Sequence, residues 1–206
     1  MTILLSDAGK RFNRDWIFRH LTYAFEAGNS YAITGPNGSG KSTLLQAISA
    51  SMQVSEGNIQ YSIDNNQVEI EEVYRHVSIC APYLELVEEM TLAEFLSFHQ
   101  NFKSFLSGIT IEKIISILNL EDAADKQIRY YSSGMKQRVK LAQCIFSDTS
   151  IVLLDEPCTN LDTTGIELYH NLVQEYCSKR TVIVSSNDEV EYDFCDSTLN
   201  ILDFKK

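Results

Sequence analysis

The glycine-rich loop that follows a predicted strand at Ser30–Thr34 has the spacing of a phosphate-binding site. It reads Gly35-Pro36-Asn37-Gly38-Ser39-Gly40-Lys41-Ser42, is followed by Thr43, and fits the pattern G-x-x-x-x-G-K-[ST]. Such glycines let backbone N–H groups point at phosphate oxygens, and the next helix adds its positive N-terminal end. The pattern predicts that residues 35–43 bind nucleotide phosphates. Lys41 is expected to reach the β- and γ-phosphates, and the Ser42 hydroxyl to bind Mg²⁺. The alternative is a strand-to-helix turn without a ligand.

Two acidic residues, Asp155 and Glu156, directly follow the apolar run Ile151–Leu154. In open α/β sheets, ligands bind at the carboxyl ends of the strands. We therefore expect Asp155 to hold Mg²⁺ and Glu156 to polarise an attacking water. Taken alone, the pair equally fits a strand that ends in two solvated acids. Together with the phosphate loop, it completes the two halves of a site for magnesium and a nucleoside triphosphate.

Composition restricts the function classes that fit around this site. The 206 residues carry 17 Lys and Arg against 28 Asp and Glu, a formal net charge of −11, which argues against a nucleic-acid binder and against adsorption to an anionic membrane. No apolar run approaches the ~20 residues of a membrane-spanning helix. The N-terminus has no signal-peptide pattern. The five cysteines are scattered without a C-x-x-C pair, which favours reduced thiols in the cytoplasm.

Alternating strands and helices are predicted to position the acidic pair and the loop. Strands are expected at 2–6, 17–25, 30–34, 59–63, 68–70, 77–81, 151–154, 181–185 and 199–204. Helices are expected at 41–50, 133–146, 164–177 and 189–195. Between about 84 and 130 the pattern is helical, with a capping box at Thr91–Glu94 and a second apolar stripe over Ile111–Leu120. The strands are apolar with little alternation, which predicts a parallel sheet covered by helices, with a helical lobe inserted in it.

A loop of serine and glycine before a basic helix start carries a family resemblance. Tyr131-Ser132-Ser133-Gly134-Met135 precedes Lys136-Gln137-Arg138, and with it the sequence resembles the ATP-binding cassette (ABC) ATPases, whose signature is L-S-G-G-Q. Ser132 and Gly134 match this signature, and the other three positions differ. A short loop at a helix N-terminus presents N–H groups and a hydroxyl to a phosphate. An ordinary serine-capped helix is the alternative.

The resemblance covers nearly the whole chain and implies its fold and further site residues. Asp162 matches the aspartate of the family's D-loop. Phe12 lies where the family has an aromatic ring that stacks on adenine, although a core role for Phe12, or stacking by Trp16, fits as well. The implied fold is α/β: a P-loop NTPase with a mostly parallel central sheet, an N-terminal antiparallel β region and an inserted α-helical lobe. Residues 1–206 then form a single ABC ATPase domain, with the helical subdomain at about 84–130 inserted in its RecA-like core.

Two positions depart from the family pattern. The family has a glutamine at the end of the strand before the helical lobe, and Pro82 stands there. It also has a histidine after the strand that follows the D-loop helix, and Asn187 stands there. An amide can hydrogen-bond a γ-phosphate but cannot carry a proton as imidazole does. Because Glu156 is retained, we expect hydrolysis, with Lys41 and Asn187 as further catalytic groups, at a rate that these two replacements slow.

The resemblance implies an ATP-binding subunit of an ABC transporter. ATP and Mg²⁺ would bind between the phosphate loop of one subunit and the Ser132–Gly134 loop of a second ABC subunit, in a head-to-tail homodimer or heterodimer. A separate transmembrane permease would hold the protein at the cytoplasmic face of the cell membrane. A non-transport ABC ATPase is one alternative, a weakly hydrolysing regulatory module is another, and a small P-loop kinase is the remaining rival. No nucleic-acid partner is expected.

Overall fold

A computed structural model of the protein describes residues 1–205, which divide into two compact units. The first comprises Met1–Ile79, Thr149–Asp155 and the chain from Lys179 onwards, and the second comprises Cys80–Asp148 and Glu156–Ser178. The strands are β1 (Thr2–Phe12), β2 (Asp15–Phe25), β3 (Ser30–Thr34), β4 (Glu56–Ile63), β5 (Asn66–Val68), β6 (Val77–Cys80), β7 (Ile151–Asp155), β8 (Thr181–Ser185) and β9 (Ser197–Asn200). The α-helices are α1 (Lys41–Ile48), α2 (Leu92–Gln100), α3 (Ile111–Ile117), α4 (Ser133–Ile145) and α5 (Thr163–Tyr176).

A five-stranded sheet in the order β6-β7-β8-β3-β9 forms the centre of the first unit. Strand β3 pairs in parallel with β8 and with β9, and β7 pairs in parallel with β8. Every residue of β7 and β8 is buried. Burial on both faces explains why these strands are apolar without alternation, and the prediction of a mostly parallel central sheet is confirmed.

A four-stranded antiparallel sheet in the order β2-β1-β4-β5 forms the rest of the β structure of this unit. Its inward face and one face of α1 share a core in which Ile3, Phe18, Leu21 and Leu44 are fully buried. The predicted N-terminal antiparallel region is confirmed. Strand β1 extends well beyond the predicted residues 2–6, because register shifts around Ala8 let it continue past an irregular segment.

The second unit contains the helices α2 to α5. Helix α2 begins at the predicted capping box, in which the Thr91 hydroxyl accepts the Glu94 N–H at 3.3 Å and the Glu94 carboxylate accepts the Thr91 N–H at 2.8 Å. Ile114 of α3 and Val139 of α4 are fully buried. In residues 1–205, no helix is both long enough and apolar enough to cross a bilayer.

The predicted last strand at 199–204 is wrong. Strand β9 ends at Asn200, and Ile201–Phe204 forms a 3₁₀ turn. The Asn200 side chain accepts the N–H of Leu202 at 3.0 Å, and this local hydrogen bond competes with continued pairing in the sheet.

The structure also differs from the predicted helix at 189–195 and from the predicted strand at 68–70. The expected helix at 189–195 is reduced to a 3₁₀ turn at Glu189–Glu191, capped by the Asp188 carboxylate on the N–H of Val190 at 3.2 Å. Strand β5 ends at Val68, and Ile70–Arg75 forms a 3₁₀ helix instead of extending it.

A half-buried histidine, His99, makes the stability of the second unit sensitive to pH. The Nε2 atom of His99 lies 2.8 Å from the Ser147 hydroxyl, and its Nδ1 atom lies 3.1 Å from the Gln143 amide. Burial, together with the nearby positive charge of Lys103, lowers the pKa of His99 to about 4. The unfolded chain has an ordinary histidine pKa, so below about pH 6.5 it takes up a proton that the folded protein resists.

We therefore expect the free energy of unfolding to fall as the pH is lowered from 7 towards 4.5. The limiting slope from His99 is about 1.4 kcal/mol per pH unit. Urea denaturation at several pH values measures it. His99→Gln should remove much of this slope, whereas His76→Gln, which leaves the His99 site intact, should keep it. An unchanged slope in His99→Gln contradicts the assignment.

Candidate functional site

The loop after β3 adopts backbone conformations that glycine supports best. Gly35, Gly38 and Gly40 have φ angles of 145°, 74° and 105°, in a region that other residues rarely occupy. A Cβ atom on Gly40 would also lie 2.2 Å from Cγ2 of Ile17. Helix α1 begins immediately afterwards at Lys41, so the loop turns directly into a helix N-terminus.

Lys41 is buried within this loop. The residue is 5% exposed, and its Nζ atom donates to the carbonyl oxygens of Gly35 at 2.7 Å and of Pro36 at 3.4 Å. Both acceptors are neutral, so they do not cancel the charge of the ammonium group. A largely desolvated cation in a loop that leads into a helix N-terminus favours the binding of an anion such as phosphate.

Three buried oxygen atoms of the first unit have no hydrogen-bond partner within residues 1–205: Ser39 Oγ, Asp155 Oδ1 and Ser185 Oγ. Buried polar atoms are nearly always hydrogen-bonded, so unsatisfied ones require an explanation. Asp155 and Ser185 lie directly opposite each other in the parallel pairing of β7 with β8. Carboxylate and hydroxyl oxygens are the ligand types that Mg²⁺ prefers. These residues, with Lys41 for the phosphates, therefore fit magnesium and a nucleoside triphosphate.

Glu156 leaves β7 through a sharp turn. Its φ angle is 45°, a left-handed conformation that costs a non-glycine residue on the order of 1 kcal/mol. The residue before a proline is normally extended, yet Pro157 follows. The turn is closed by a hydrogen bond from the Thr159 N–H to the Glu156 carbonyl at 3.2 Å. The Glu156 side chain is partly exposed.

Ser132 and Gly134 form the start of α4. The Ser132 hydroxyl caps the helix by accepting the Met135 N–H at 3.2 Å. A Cβ atom on Gly134 would lie 3.1 Å from the Asn160 carbonyl oxygen, so this position has little room for a side chain. The loop lines an open cleft of about 420 Å³ whose other walls include Arg138 and Asp162.

Asp162 acts as the N-cap of α5. Its carboxylate accepts the Gly165 N–H at 2.8 Å and the Thr164 hydroxyl at 2.9 Å. The hydrogen bond from Gly165, followed by that from Thr164, holds the pKa of Asp162 below its usual range. Arg138 approaches the same carboxylate at 3.4 Å. The aspartate therefore has a structural use that fixes the turn between Glu156 and α5.

The two aromatic candidates for adenine stacking differ in their surroundings. Trp16 lies near two guanidinium groups, 4.5 Å from Arg19 and 5.4 Å from Arg11. The Phe12 side chain is exposed, with Lys10 Nζ 5.3 Å from its ring centroid. The exposed phenylalanine fits a stacking role better, and its exposure contradicts the core alternative.

Pro82 and Asn187, the two positions at which the sequence is expected to depart from the family pattern, are both exposed. Pro82 has no polar side-chain atom, and its carbonyl accepts Lys140 Nζ at 3.0 Å. Asn187 follows β8 and Ser186.

The predicted site residues are divided between the two units. The first contains Phe12, residues 35–43, Asp155 and Asn187, and the second contains Ser132, Gly134, Glu156 and Asp162. Sequence reasoning missed Ser185. Its signal was its place at the end of a buried strand, which aligns with Asp155 only once the pairing is known.

Comparison with known proteins decides the family. A family model described as ABC transporter matches residues 18–159. The chain belongs to the ABC transporter family. It is 30% identical over 191 residues to the uncharacterized ABC transporter ATP-binding protein YhcH of Bacillus subtilis (strain 168), which is 89% of this chain and 61% of YhcH. It is 28% identical to the cytochrome c biogenesis ATP-binding export protein CcmA of Rhizobium meliloti (strain 1021) over 92% of both proteins.

The fold matches that of solved ABC cassettes. The ATP-binding cassette MJ0796, in a dimeric post-hydrolysis structure bound to ADP and Pi, superposes with a TM-score of 0.81 at 22% identity, over 97% of this chain and 94% of that one. The predicted family and the P-loop NTPase fold are thereby confirmed. As an ABC cassette, the chain belongs to a family of ATPases that bind ATP, dimerise and act with membrane subunits.

We expect Phe12→Ala to weaken ATP binding by about tenfold, since stacking of a base on an aromatic side chain contributes roughly 1–3 kcal/mol. Equilibrium binding of a fluorescent ATP analogue measures the effect. Phe102→Ala is the matched control, because this phenylalanine is 71% exposed and lies in the second unit. Equal affinity of Phe12→Ala and wild type would exclude the stacking role.

Proposed function

We propose that the chain is the ATP-binding subunit of an ABC transporter, which binds and hydrolyses Mg²⁺–ATP in a head-to-tail dimer and powers transport through a separate transmembrane permease. The observation that carries the proposal is the set of buried, unsatisfied oxygens of Ser39, Asp155 and Ser185 in the unit that also buries Lys41 in its glycine loop. This permease would hold the protein at the cytoplasmic face of the membrane. Residues 1–206 act in this proposal as a single ATPase domain, with 84–130 as its helical subdomain.

Each predicted site residue of the first unit has a proposed role in nucleotide binding. The N–H groups of Gly35, Asn37, Gly38, Gly40, Ser42 and Thr43 and the unpartnered hydroxyl of Ser39 bind phosphate oxygens, and Lys41 neutralises charge on the β- and γ-phosphates. The Ser42 hydroxyl and the Asp155 carboxylate hold Mg²⁺, which offsets the charge that develops on the phosphates during hydrolysis. Phe12 stacks on the adenine, and the Asn187 amide donates a hydrogen bond to the γ-phosphate.

Hydrolysis needs a group that orients and polarises the attacking water, and Glu156 is the proposed one. Glu156 directly follows Asp155 in sequence, and its side chain is partly exposed to solvent. A carboxylate within hydrogen-bonding reach of a water can accept its proton as the water attacks the γ-phosphate. Lys41 and Asn187 then stabilise the charge on the phosphoryl oxygens.

The chemistry of the second unit supports the proposed dimer. Ser132 and Gly134 expose the N-terminus of α4, a 13-residue helix, and such an end binds anions. The similar cassette MJ0796 is dimeric with ADP and Pi bound. This similarity supports a dimer in which a second copy of the chain contributes its Ser132–Gly134 loop to the ATP site. ATP would join the two subunits, and its hydrolysis would release them, provided that ATP binds the closed state more tightly than the open one.

Glu156→Gln should lower the steady-state ATPase rate of the full chain by about a hundredfold or more, because the amide cannot accept a proton. The same variant should form a stable dimer in the presence of Mg²⁺ and ATP, which size-exclusion chromatography with light scattering detects. Wild-type turnover in Glu156→Gln would contradict the catalytic assignment.

A second substitution tests the ATP sandwich separately. Ser132→Arg in the Glu156→Gln background adds a bulky side chain at the start of α4 and should abolish the ATP-dependent dimer. Ser97→Arg in the same background is the control, because this exposed serine lies in α2 and outside the proposed contact. A dimer that persists in the Ser132→Arg variant would exclude the head-to-tail arrangement.

The replacement of the family's histidine predicts a gain of activity. Asn187→His supplies an imidazole that can carry a proton near neutral pH, so we expect the ATPase rate to rise by about fivefold to tenfold over wild type. Asn58→His adds an exposed imidazole away from the site and should leave the rate unchanged. An unchanged rate in Asn187→His would show that this position does not limit hydrolysis.

A further inference from the structure

Gln137 is a buried polar side chain that the roles above do not use. It lies in the second turn of α4 and is 3% exposed. Its Nε2 atom donates to the carbonyl oxygen of Pro157 at 2.7 Å and approaches the Sγ atom of Cys80 at 3.8 Å. All of these residues belong to the second unit. A buried amide with short, directed contacts is a feature that the surrounding structure specifies.

The buried Pro157 carbonyl needs a hydrogen-bond donor that a glutamine side chain can supply. Pro157 is buried and has no N–H group, so its carbonyl is its one polar backbone group, and a buried carbonyl needs a donor. A methionine of similar length would leave this carbonyl unsatisfied. An ionised glutamate would turn an oxygen towards it, which is repulsive.

The hydrogen bond from Gln137 to the Pro157 carbonyl lies next to Glu156, whose backbone conformation is the least favourable in the proposed site. Glu156, the residue before Pro157, has a φ angle of 45°. Such conformations persist only where surrounding contacts hold them. The Gln137 amide supplies a contact of this kind from a rigid helix. Because Gln137 follows Ser132 by five residues in sequence, their Cα atoms differ in height along α4 by about 7.5 Å.

We infer that Gln137 is a positioning residue for hydrolysis, whose amide fixes the Glu156–Pro157 turn to α4 and so sets the position of the Glu156 carboxylate. The inference rests on the proposed function, in which Glu156 polarises the attacking water. One helix then carries both the Ser132–Gly134 loop and the support of the catalytic turn. In a head-to-tail dimer these two features of one subunit serve different ATP molecules, so α4 links the two nucleotide sites.

The first test is Gln137→Met in the full chain. We expect kcat for ATP to fall by about tenfold or more, since a misplacement of 1 Å can cost about a hundredfold in rate. The KM for ATP should stay within about twofold, because the phosphate loop and the candidate stacking residue are in the first unit. Gln143→Met is the matched control. Gln143 is in the same helix, and its amide contacts His99 at 3.1 Å instead of the catalytic turn, so its kcat should stay within about twofold of wild type.

A double-mutant cycle shows whether Gln137 acts through Glu156. In the Glu156→Gln background, adding Gln137→Met should lower single-turnover hydrolysis by less than about twofold, because effects that pass through one group are not additive. A full further tenfold loss would mark a general structural role and overturn the inference.

Failure of the proposed function and failure of the positioning role give different results. If Glu156→Gln hydrolyses ATP at the wild-type rate, or if the wild-type chain does not hydrolyse ATP, the proposed function is wrong, and this inference is wrong with it. If Glu156→Gln is impaired and Gln137→Met is not, only the positioning role falls.

Amide hydrogen exchange tests the geometry without any nucleotide. The N–H groups of Thr159 and Leu161 bond within the turn, to the carbonyls of Glu156 and Cys158. Their exchange should become faster in Gln137→Met and stay at the wild-type rate in Gln143→Met. Equal exchange in both variants would overturn the inference.

Gln137→Glu decides the question if Gln137→Met does not fold. The ionised carboxylate repels the Pro157 carbonyl, whereas the protonated one donates to it as the amide does. The kcat of Gln137→Glu relative to wild type should therefore rise as the pH is lowered from 8.5 to 6. A ratio that stays below one half and does not change with pH would overturn the inference, as would a ratio of one throughout.

Discussion

Parallel pairing of β3, β7 and β8 is the constraint on which the phosphate-binding half of the proposed site depends. Parallel strands end at the same edge of their sheet, so Thr34, Asp155 and Ser185, which are far apart in sequence, come to one edge. The register pairs both Ile33 and Asp155 with Ser185. A slip of β7 by one residue would turn the Asp155 carboxylate to the opposite face. Since β7 and β8 are buried throughout, such a slip would disrupt the core as well, and the requirement for a packed core therefore also fixes the site.

Local charge outweighs global charge in this protein. The chain has a formal net charge of −11, which disfavours anions at long range. Screening limits that effect to about 8 Å at physiological salt. Within the glycine loop, the buried Lys41 ammonium and the loop's backbone N–H groups act at contact distance and with little screening. A nucleotide is therefore compatible with an acidic protein surface.

Sequence alone predicts the parts of the fold and site that depend on local chemistry. The glycine loop, the Thr91–Glu94 capping box and the buried strands follow from spacing and hydrophobic pattern. Ser185 and Gln137 escape such reasoning because their importance depends on pairing partners distant in sequence. The incorrect last strand has a local cause, since the side chain of Asn200 competes with the backbone for the Leu202 N–H. Sequence also left Trp16 as a rival to Phe12, because only the folded hairpin reveals which ring is exposed and which lies beside arginines.

Two side chains of helix α4 donate hydrogen bonds to the backbone carbonyls of two prolines. Pro82 and Pro157 lack N–H groups and can enter a hydrogen-bond network only through their carbonyls. Lys140 donates to the first at 3.0 Å and Gln137 to the second at 2.7 Å. The two donors are three residues apart in α4 and so lie on one face of the helix. Pro82 has no polar side-chain atom, yet its backbone is fastened to the helix that begins at Ser132. The proline at position 82 therefore offers its surroundings no polar side-chain group, while Lys140 of α4 still holds the segment that carries it.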